Sequence, residues 1–174
     1  VDADQLAYII TSSGSTGVPK GICHTHDSAL AYVAFKAAAY DLRPDDRISD
    51  IAPNHFDIST LALWATPALG ATNVVVAEPY QMLPASLSQL AADEALTVWY
   101  SVPYLLTQLL ERGDLEHRDL SALRWILFGG EPFPPRVLGR IMARLPTARF
   151  SNVYGPAEVN ACTVHHLDGP PGAE

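Results

Sequence analysis

The sequence predicts an α/β fold with a mostly parallel sheet and helices on both faces. Short apolar runs alternate with longer helical patterns over most of the 174 residues, and this alternation is typical of parallel sheets. Several runs are nearly continuous in Val, Ile, Leu and aromatic residues, as strands covered on both faces should be. The six predicted strands are Leu6–Ile10, Arg47–Ala52, Thr72–Ala77, Leu96–Ser101, Arg124–Gly129 and Arg149–Tyr154.

Three helices are predicted between these strands. The first follows Thr25, a preferred N-cap residue type, and Asp27 is placed to interact favourably with the helix dipole. The second covers residues 102–113, where four leucines share one face and Gly113 can end the helix. The third covers residues 134–146 and ends at a proline.

Composition limits the class of protein. The chain is 48% hydrophobic and 17% charged, which is ordinary for one globular domain. Its net charge of -8 argues against a nucleic-acid partner, because phosphate backbones require a basic surface. No apolar stretch approaches the roughly 20 residues that cross a bilayer, so no membrane partner is expected. Cys23 and Cys162 suggest no disulfide framework, and we therefore predict a cytoplasmic location.

A loop rich in glycine and hydroxyl residues, SSGSTGVPKG (12–21), follows the first predicted strand. Its glycines allow backbone N–H groups to converge on an anion, and Lys20 adds a positive charge. The loop does not match the P-loop pattern, because Gly14 and Gly17 are too close together and Gly21 stands where Ser or Thr would hold magnesium. The loop is therefore either a phosphate-binding element of another kind or a solvated surface loop.

Polar segments follow four of the predicted strands. Ligands of open α/β sheets bind beyond the carboxyl ends of the strands, so we expect these segments to form one site. The segments are residues 11–21, 53–59, 129–135 and 155–160.

The same segments resemble motifs of the adenylate-forming superfamily, which includes acyl-CoA synthetases, luciferases and the adenylation domains of nonribosomal peptide synthesis. "LAYIITSSGSTGVPKG" resembles its phosphate-binding signature and "HFDIST" its aromatic-Asp motif. "LFGGEPFPP" resembles its Gly-Gly-Glu turn, and "NVYGPAE" its Asn-x-Tyr-Gly-Pro-Thr-Glu element. The four motifs occur in the family's order and span most of the chain.

The resemblance implies an AMP-forming ligase that uses ATP and Mg²⁺. A substrate carboxylate attacks the α-phosphorus of ATP and expels pyrophosphate, and a phosphopantetheine thiol on a peptidyl or acyl carrier protein then accepts the acyl group. The carboxylate is already an ionised nucleophile, so no activating Ser-His-Asp set is needed. The chemical demand is instead for positioning and charge neutralisation of the polyphosphate.

The resemblance also implies which residues bind the nucleotide. Thr16, Lys20 and Glu158 would be catalytic, with Glu158 holding Mg²⁺. Tyr154 would stack on adenine, and Asn152 would hydrogen-bond the base edge. From its residue type alone, Tyr154 is equally typical of a core aromatic whose hydroxyl contacts solvent. The residues expected to bind ATP or AMP are Ser12, Ser13, Gly14, Ser15, Thr16, Gly17, Lys20, Gly129, Gly130, Glu131, Asn152, Tyr154 and Gly155.

Asp57 is the residue that indicates the class of substrate. In amino-acid-activating members this aspartate pairs with the α-ammonium of the substrate, and a buried carboxylate without a cation is costly. The alternative is that Asp57 caps the following helix. The amino-acid pocket implied by the resemblance comprises Phe56, Asp57, Ile58, Leu61, Tyr100, Leu127, Gly129, Val153, Ala161 and Cys162. Asp57 is its one charged member, which favours a small or medium apolar side chain.

The residues of the motifs are most similar to those of freestanding ligases that load proline or a similar small amino acid onto a carrier protein. Ala157 and Asn160 fit that subgroup, although Ala157 replaces the usual threonine and removes a hydroxyl near the α-phosphate. Two alternatives stay open: an acyl- or aryl-CoA ligase in which Asp57 is only a cap, and a nucleotide-binding module without catalysis.

Residues 1–174 are expected to be a partial AMP-binding (adenylation) domain. Enzymes of this superfamily continue into a C-terminal subdomain with a catalytic lysine, and nothing after Thr163 resembles it. We therefore expect that subdomain to be absent from the chain, and the isolated chain to have little or no adenylation activity. The histidine pairs at 24/26 and 165/166 lack metal-site spacing, so ordinary polar roles are expected for them.

Overall fold

The computed structural model describes residues 2–12 and 19–172. The strands are β1 (Leu6–Ser12), β2 (Lys20–Thr25), β3 (Arg47–Asp50), β4 (Thr72–Val75), β5 (Val98–Ser101), β6 (Trp125–Gly129), β7 (Arg149–Tyr154) and β8 (Thr163–Leu167). The α-helices are α1 (His26–Tyr40), α2 (Thr66–Leu69), α3 (Glu78–Gln81), α4 (Pro84–Asp93), α5 (Pro103–Arg112) and α6 (Pro135–Arg144). Short 3₁₀ turns occur at Asp57–Ser59 and Leu115–His117, and a π-helical turn at Leu61–Ala65 leads into α2.

The main sheet has the strand order β4-β3-β5-β6-β7-β8. All neighbouring pairs are parallel except β7 and β8, which pair antiparallel at the edge. This confirms the predicted mostly parallel sheet. Five of the six predicted strands form its parallel part, with boundaries that differ from the prediction by at most two residues at either end.

The sheet is covered on both faces, as predicted. On one face, Trp99, Ile126 and Phe150 pack with the leucines of α4, α5 and α6. On the other face, Tyr100 and Leu127 pack with α1 and the π-helical turn. Neighbouring residues along β5 and β6 therefore alternate between two cores, as the two-residue period of a strand requires.

The first predicted strand does not belong to the main sheet, so this part of the prediction is wrong. β1 pairs antiparallel with β2 in a separate two-stranded sheet, in which Ser12 lies opposite Lys20. A strand that returns after so short a connection must pair antiparallel, because a parallel crossover needs a dozen or more residues. β1 and β2 therefore form a hairpin that is separate from the main sheet.

Several elements were not predicted, among them β8 and α4. β8 contains two histidines and lies at a sheet edge with its side chains largely half-buried or exposed, so it lacks the apolar run of an interior strand. The helix α4 is as long as α5 and α6, but three of its apolar residues are alanines, which weakens its apolar pattern. Both elements depend on long-range packing more than on local pattern.

The three predicted helices form close to their expected positions. Thr25 caps α1, and its hydroxyl accepts a hydrogen bond from the Ser28 N–H at 3.2 Å. Gly113 is the C-cap of α5, and its N–H bonds the Leu109 carbonyl at 2.8 Å. In the described residues, no helix is both long and apolar enough to span a bilayer.

Candidate active site

A cavity of about 370 Å³ opens at the carboxyl ends of β5, β6 and β7. It brings together side chains from three of the four motifs, which supports the predicted convergence at this edge of the sheet. The residues that line it are Asp57, Ile58, Tyr100, Gly130, Glu131, Asn152, Val153, Tyr154, Gly155 and Asn160. All except Asn160 were expected in the amino-acid or nucleotide site.

Asp57 is the half-buried carboxylate of this cavity. It is the first residue of a 3₁₀ turn whose N-cap is Phe56, so Asp57 does not occupy the N-cap position. Burial raises the pKa of the Asp57 carboxyl, while the Ile58 amide and the charges of His24 and Lys36 act in the opposite direction. A carboxylate held in this way favours a cation as its partner.

Three expected pocket residues lie in the core behind the cavity wall. Leu61, Leu127 and Ala161 are buried together with Tyr100 and Val153, which do line the cavity. They shape the wall through packing. Desolvation raises the pKa of Tyr100 well above its ordinary value, so this side chain presents a neutral phenol to the site.

Asn152 and Tyr154 lie at the end of β7, and both are exposed on the cavity side. Tyr154 is 68% exposed, which excludes the alternative that it is a core aromatic. Gly155 follows at a point of close backbone approach, because a Cβ on it would come within 2.5 Å of the Ala161 Cα. The ring of Tyr154 is thus available to a ligand.

The turn after β6 places Gly130 and Glu131 on the opposite rim. Gly130 has a φ of 90°, a left-handed conformation that favours glycine. The Glu131 carboxylate accepts a hydrogen bond of 2.5 Å from the Tyr104 N–H, in the first turn of α5. This bond holds the turn against the positive end of that helix dipole.

Gly129, expected in both the nucleotide site and the amino-acid pocket, lies where β6 and β7 approach closely. It pairs with Val153 across β6 and β7, and a Cβ on it would lie 2.2 Å from the Val153 carbonyl oxygen. The glycine is needed for the close approach of the two strands.

The loop expected to bind phosphate is held by the β1–β2 hairpin. Ser12 and Lys20 face each other at its two ends, and Lys20 is exposed. Ser13, Gly14, Ser15, Thr16 and Gly17 lie outside the described residues. The predictions for them are therefore not tested by the structure.

The hairpin contacts the loop that follows β7. The Tyr8 ring stacks on His24 at 4.7 Å, and the Tyr8 hydroxyl bonds the Asn160 side-chain amide at 2.6 Å. His24 Nε2 donates to the Ala157 carbonyl at 2.8 Å. The β1–β2 hairpin is thereby attached to the segment that contains Glu158.

Other expected site residues lie outside the cavity. Phe56 is 54% exposed and lines a neighbouring apolar groove of about 380 Å³. Cys162 is exposed, and its Sγ lies 3.6 Å from the Tyr154 carbonyl. Glu158 is also exposed. Among residues 2–12 and 19–172, no group of three or more side chains could hold a metal ion, but a single carboxylate suffices where Mg²⁺ takes its other oxygens from phosphates and water.

Two side chains near the site were missed. Asn160 has a φ of 56° and is buried, and its Oδ1 has no hydrogen-bond partner in the described residues. Lys36 is fully buried on α1, on the stripe that also contains Tyr32 and Val33. The helical spacing of that stripe could have identified Lys36 as a buried charge.

The family model for AMP-binding enzymes matches residues 1–174, the whole chain. The chain therefore belongs to the AMP-binding enzyme family, which confirms the resemblance drawn from the four motifs. This is a family of adenylate-forming ligases.

Several individual proteins are similar to this chain. An L-proline–[L-prolyl-carrier protein] ligase of Pseudomonas fluorescens is 39% identical over 167 residues, which cover 96% of this chain and 34% of that protein. The ligase of the same name from Streptomyces coelicolor is 35% identical over 94% of this chain and 31% of its own length. A crystal structure of the nonribosomal peptide synthetase FmoA3 in an AMPPNP-bound form has a TM-score of 0.86 at 31% identity, covering 97% of this chain and 18% of that one. The chain thus spans about a third of the length of the two curated ligases.

Proposed function

We propose that the protein activates a small neutral amino acid, proline or a similar one, as its aminoacyl-AMP. The activated acyl group then passes to the phosphopantetheine thiol of a peptidyl or acyl carrier protein. The observation that carries this proposal is the shared cavity, which places the Asp57 carboxylate beside Asn152 and Tyr154 of the nucleotide motif. The two proline-carrier ligases support the same substrate class and partner.

Asp57 is the group that selects an amino acid over an amine-free acid. Its half-buried carboxylate would pair with the α-ammonium, and this pairing would orient the α-carboxylate of the substrate. Tyr100 and Val153 line the cavity next to it and carry no charge. A charged substrate side chain would lose its hydration against these walls without a partner, so the lining favours neutral side chains.

The nucleotide would occupy the rim formed by Gly130, Glu131, Asn152, Tyr154 and Gly155. One oxygen of the substrate α-carboxylate attacks the α-phosphorus of ATP, and the bond to the bridging oxygen of the β-phosphate breaks to release pyrophosphate. In the second half-reaction the thiol sulfur replaces AMP on the acyl carbon. Both steps need the reactants held in line more than they need acid–base catalysis.

Neutralisation of the polyphosphate would come from Lys20 and from Mg²⁺. The exposed carboxylate of Glu158 would hold the metal, whose chemistry is to bridge and neutralise phosphate oxygens. Lys20 stands at the end of the hairpin loop, where its exposed ammonium can reach an anion.

The test is ATP–pyrophosphate exchange by the full-length protein in the presence of different carboxylic-acid substrates. Proline, alanine and valine are compared with benzoate and short fatty acids. We expect exchange with the small amino acids. In Asp57→Asn the KM for the amino acid should rise about 30-fold or more, because losing one partner of a buried charge pair costs 2–5 kcal/mol. The surface variant Asp45→Asn is the matched control and should behave like wild type.

Two results would contradict the proposal. Exchange with benzoate or a fatty acid that persists unchanged in Asp57→Asn would indicate an acyl- or aryl-CoA ligase. A full-length protein that binds ATP but shows no exchange with any acid would indicate a nucleotide-binding module without catalysis.

A further inference from the structure

Lys36 is the most unusual charged residue in the described part of the chain. Its side chain is 0% exposed, and its Nζ has no hydrogen-bond partner among the described residues. An ammonium taken out of water without an acceptor is costly, so such a group is retained where it has an electrostatic role. The established motifs of the chain assign no role to it.

Three tyrosine rings surround this ammonium. Nζ lies 5.6 Å from the ring centre of Tyr32, 5.2 Å from that of Tyr40 and 5.0 Å from that of Tyr100. Ring faces attract a cation, so they offset part of its lost hydration. Burial raises the pKa of all three phenols, that of Tyr40 to about 12, so none of them can supply a negative charge near neutral pH.

Asp57 is the anion whose charge opposes the fall in the pKa of Lys36. Tyr100 lines the cavity together with Asp57, and its ring is also the one nearest to Nζ. Among the described residues the two groups form no ion pair within 4.0 Å. Lys36 therefore lies next to the Tyr100 side chain, which lines the cavity together with Asp57.

We propose, on the basis of the proposed function, that Lys36 is a positioning residue of the amino-acid pocket: it is the counter-charge of Asp57 while the pocket is empty, and the substrate's α-ammonium replaces it. When the substrate binds, two cations would otherwise share one half-buried carboxylate. Lys36 avoids this repulsion between the two cations by releasing its proton to solvent. The neutral amine then stays among the tyrosine rings, and Asp57 pairs with the substrate alone.

Burial lowers the pKa of Lys36 to about 7, with Asp57 opposing the shift, so this proton is easily lost. Below that pH the substrate must displace the proton, and its apparent affinity falls. Above that pH the lysine is already neutral, and no such cost remains. The other titratable groups around the pair are Tyr8 and His24 on the hairpin and His166 on β8, which contacts Tyr40.

The test is the pH dependence of amino-acid-dependent exchange by the full-length protein. In wild type, the KM for the amino acid should fall about tenfold from pH 6 to pH 8 and then level off, while kcat stays flat. In Lys36→Met the KM should vary less than about twofold over that range, because no proton needs to leave. Both histidines remain in this variant, so it isolates the contribution of the lysine.

Val33→Ala is the matched control. Val33 is buried on the same face of α1, one turn before Lys36, and its truncation loosens the same packing without changing charge. This variant should keep the wild-type slope of KM against pH. A Lys36→Met protein that keeps the wild-type slope would overturn the inference, while an inactive wild type would overturn the proposed function instead.

If Lys36→Met does not fold, calorimetry on the wild type gives the answer. Titration with the amino acid in buffers of different ionisation enthalpy should reveal close to one proton released per molecule bound at about pH 6, and almost none at about pH 9. Equal heats in both buffers at the lower pH would overturn the inference.

Discussion

The Tyr8 hydroxyl and the Asn160 side-chain amide lie 2.6 Å apart, although 152 positions separate the two residues in sequence. Asn160 Nδ2 donates to the phenol oxygen, and the Tyr8 ring stacks between His24 and Trp64. This contact joins the β1–β2 hairpin to the segment after β7. The hairpin that ends at Lys20 and the segment that contains Glu158 are therefore linked directly.

Tyr8→Phe removes this hydrogen bond and keeps the ring stacking. We expect a loss of about 1 kcal/mol in the free energy of unfolding, because a neutral hydrogen bond contributes roughly that amount. The KM for ATP should rise as the hairpin loosens. Denaturant unfolding and exchange kinetics of the full-length protein measure both effects. Tyr80→Phe, at an exposed tyrosine, should change neither.

Gly129→Ala should destabilise the sheet severely. The added Cβ would lie 2.2 Å from the Val153 carbonyl oxygen, so β6 and β7 would have to separate. We expect a loss of about 3 kcal/mol or more, as for overpacked interiors. Gly169→Ala is the matched control, because no atom lies within 4 Å of its added Cβ and its effect on the melting temperature should be small.

Asp46 is the buried acid at the opposite edge of the sheet. Its carboxylate accepts hydrogen bonds from the Arg124 guanidinium at 2.8 and 2.9 Å and from the Thr97 hydroxyl at 2.6 Å. Asp46→Asn should lower the free energy of unfolding by about 3 kcal/mol, because it leaves the arginine without its anion. Glu111→Gln, which removes an exposed ion pair, should cost less than about 1 kcal/mol by the same measurement.

The raised pKa of Asp57 predicts an acid limit to substrate binding. As the pH falls through this raised pKa, the carboxyl is protonated and loses its attraction for the α-ammonium. The KM for the amino acid should therefore rise on the acid side at a higher pH than an ordinary aspartate would produce. Asp57→Asn should lack this limb. An equal rise in the KM for ATP would instead indicate that low pH destabilises the whole protein.

Lys20→Met should weaken the use of ATP without changing stability. Lys20 is exposed at the end of the hairpin loop, so its loss leaves no cavity. We expect a fall of about tenfold or more in kcat/KM for ATP, as for removal of a charge that stabilises a phosphoryl-transfer transition state. Arg136→Met, at another exposed cation, is the control and should retain wild-type kinetics.

Most of the main sheet could be predicted because its signals are local. The apolar runs at β5 and β6 and the strand–helix alternation appear within short windows of sequence. β1 was assigned to the wrong sheet because an apolar run identifies a strand but not its partner. β8 was missed because an edge strand needs little apolar surface.

The candidate site was predictable to a similar degree. The motifs identified Asp57, Asn152 and Tyr154 as neighbours, and the structure places all three on one cavity. The close approach of Gly129 to Val153 was not predicted, because this contact exists only between paired strands. The contacts that could not be predicted are those between segments that are distant in sequence and meet only in the folded chain.

The sequence by itself determined the family, the order of the motifs and the parallel sheet that brings them to one edge. Each of these follows from residue types at short spacings, which local backbone preference and apolar periodicity are sufficient to specify. Only the tertiary structure decided that Lys36 lies among three tyrosines, one of which lines the cavity with Asp57, and that Tyr8 reaches Asn160. The physical reason is that burial and electrostatic coupling depend on distances through space, which packing of the whole chain sets.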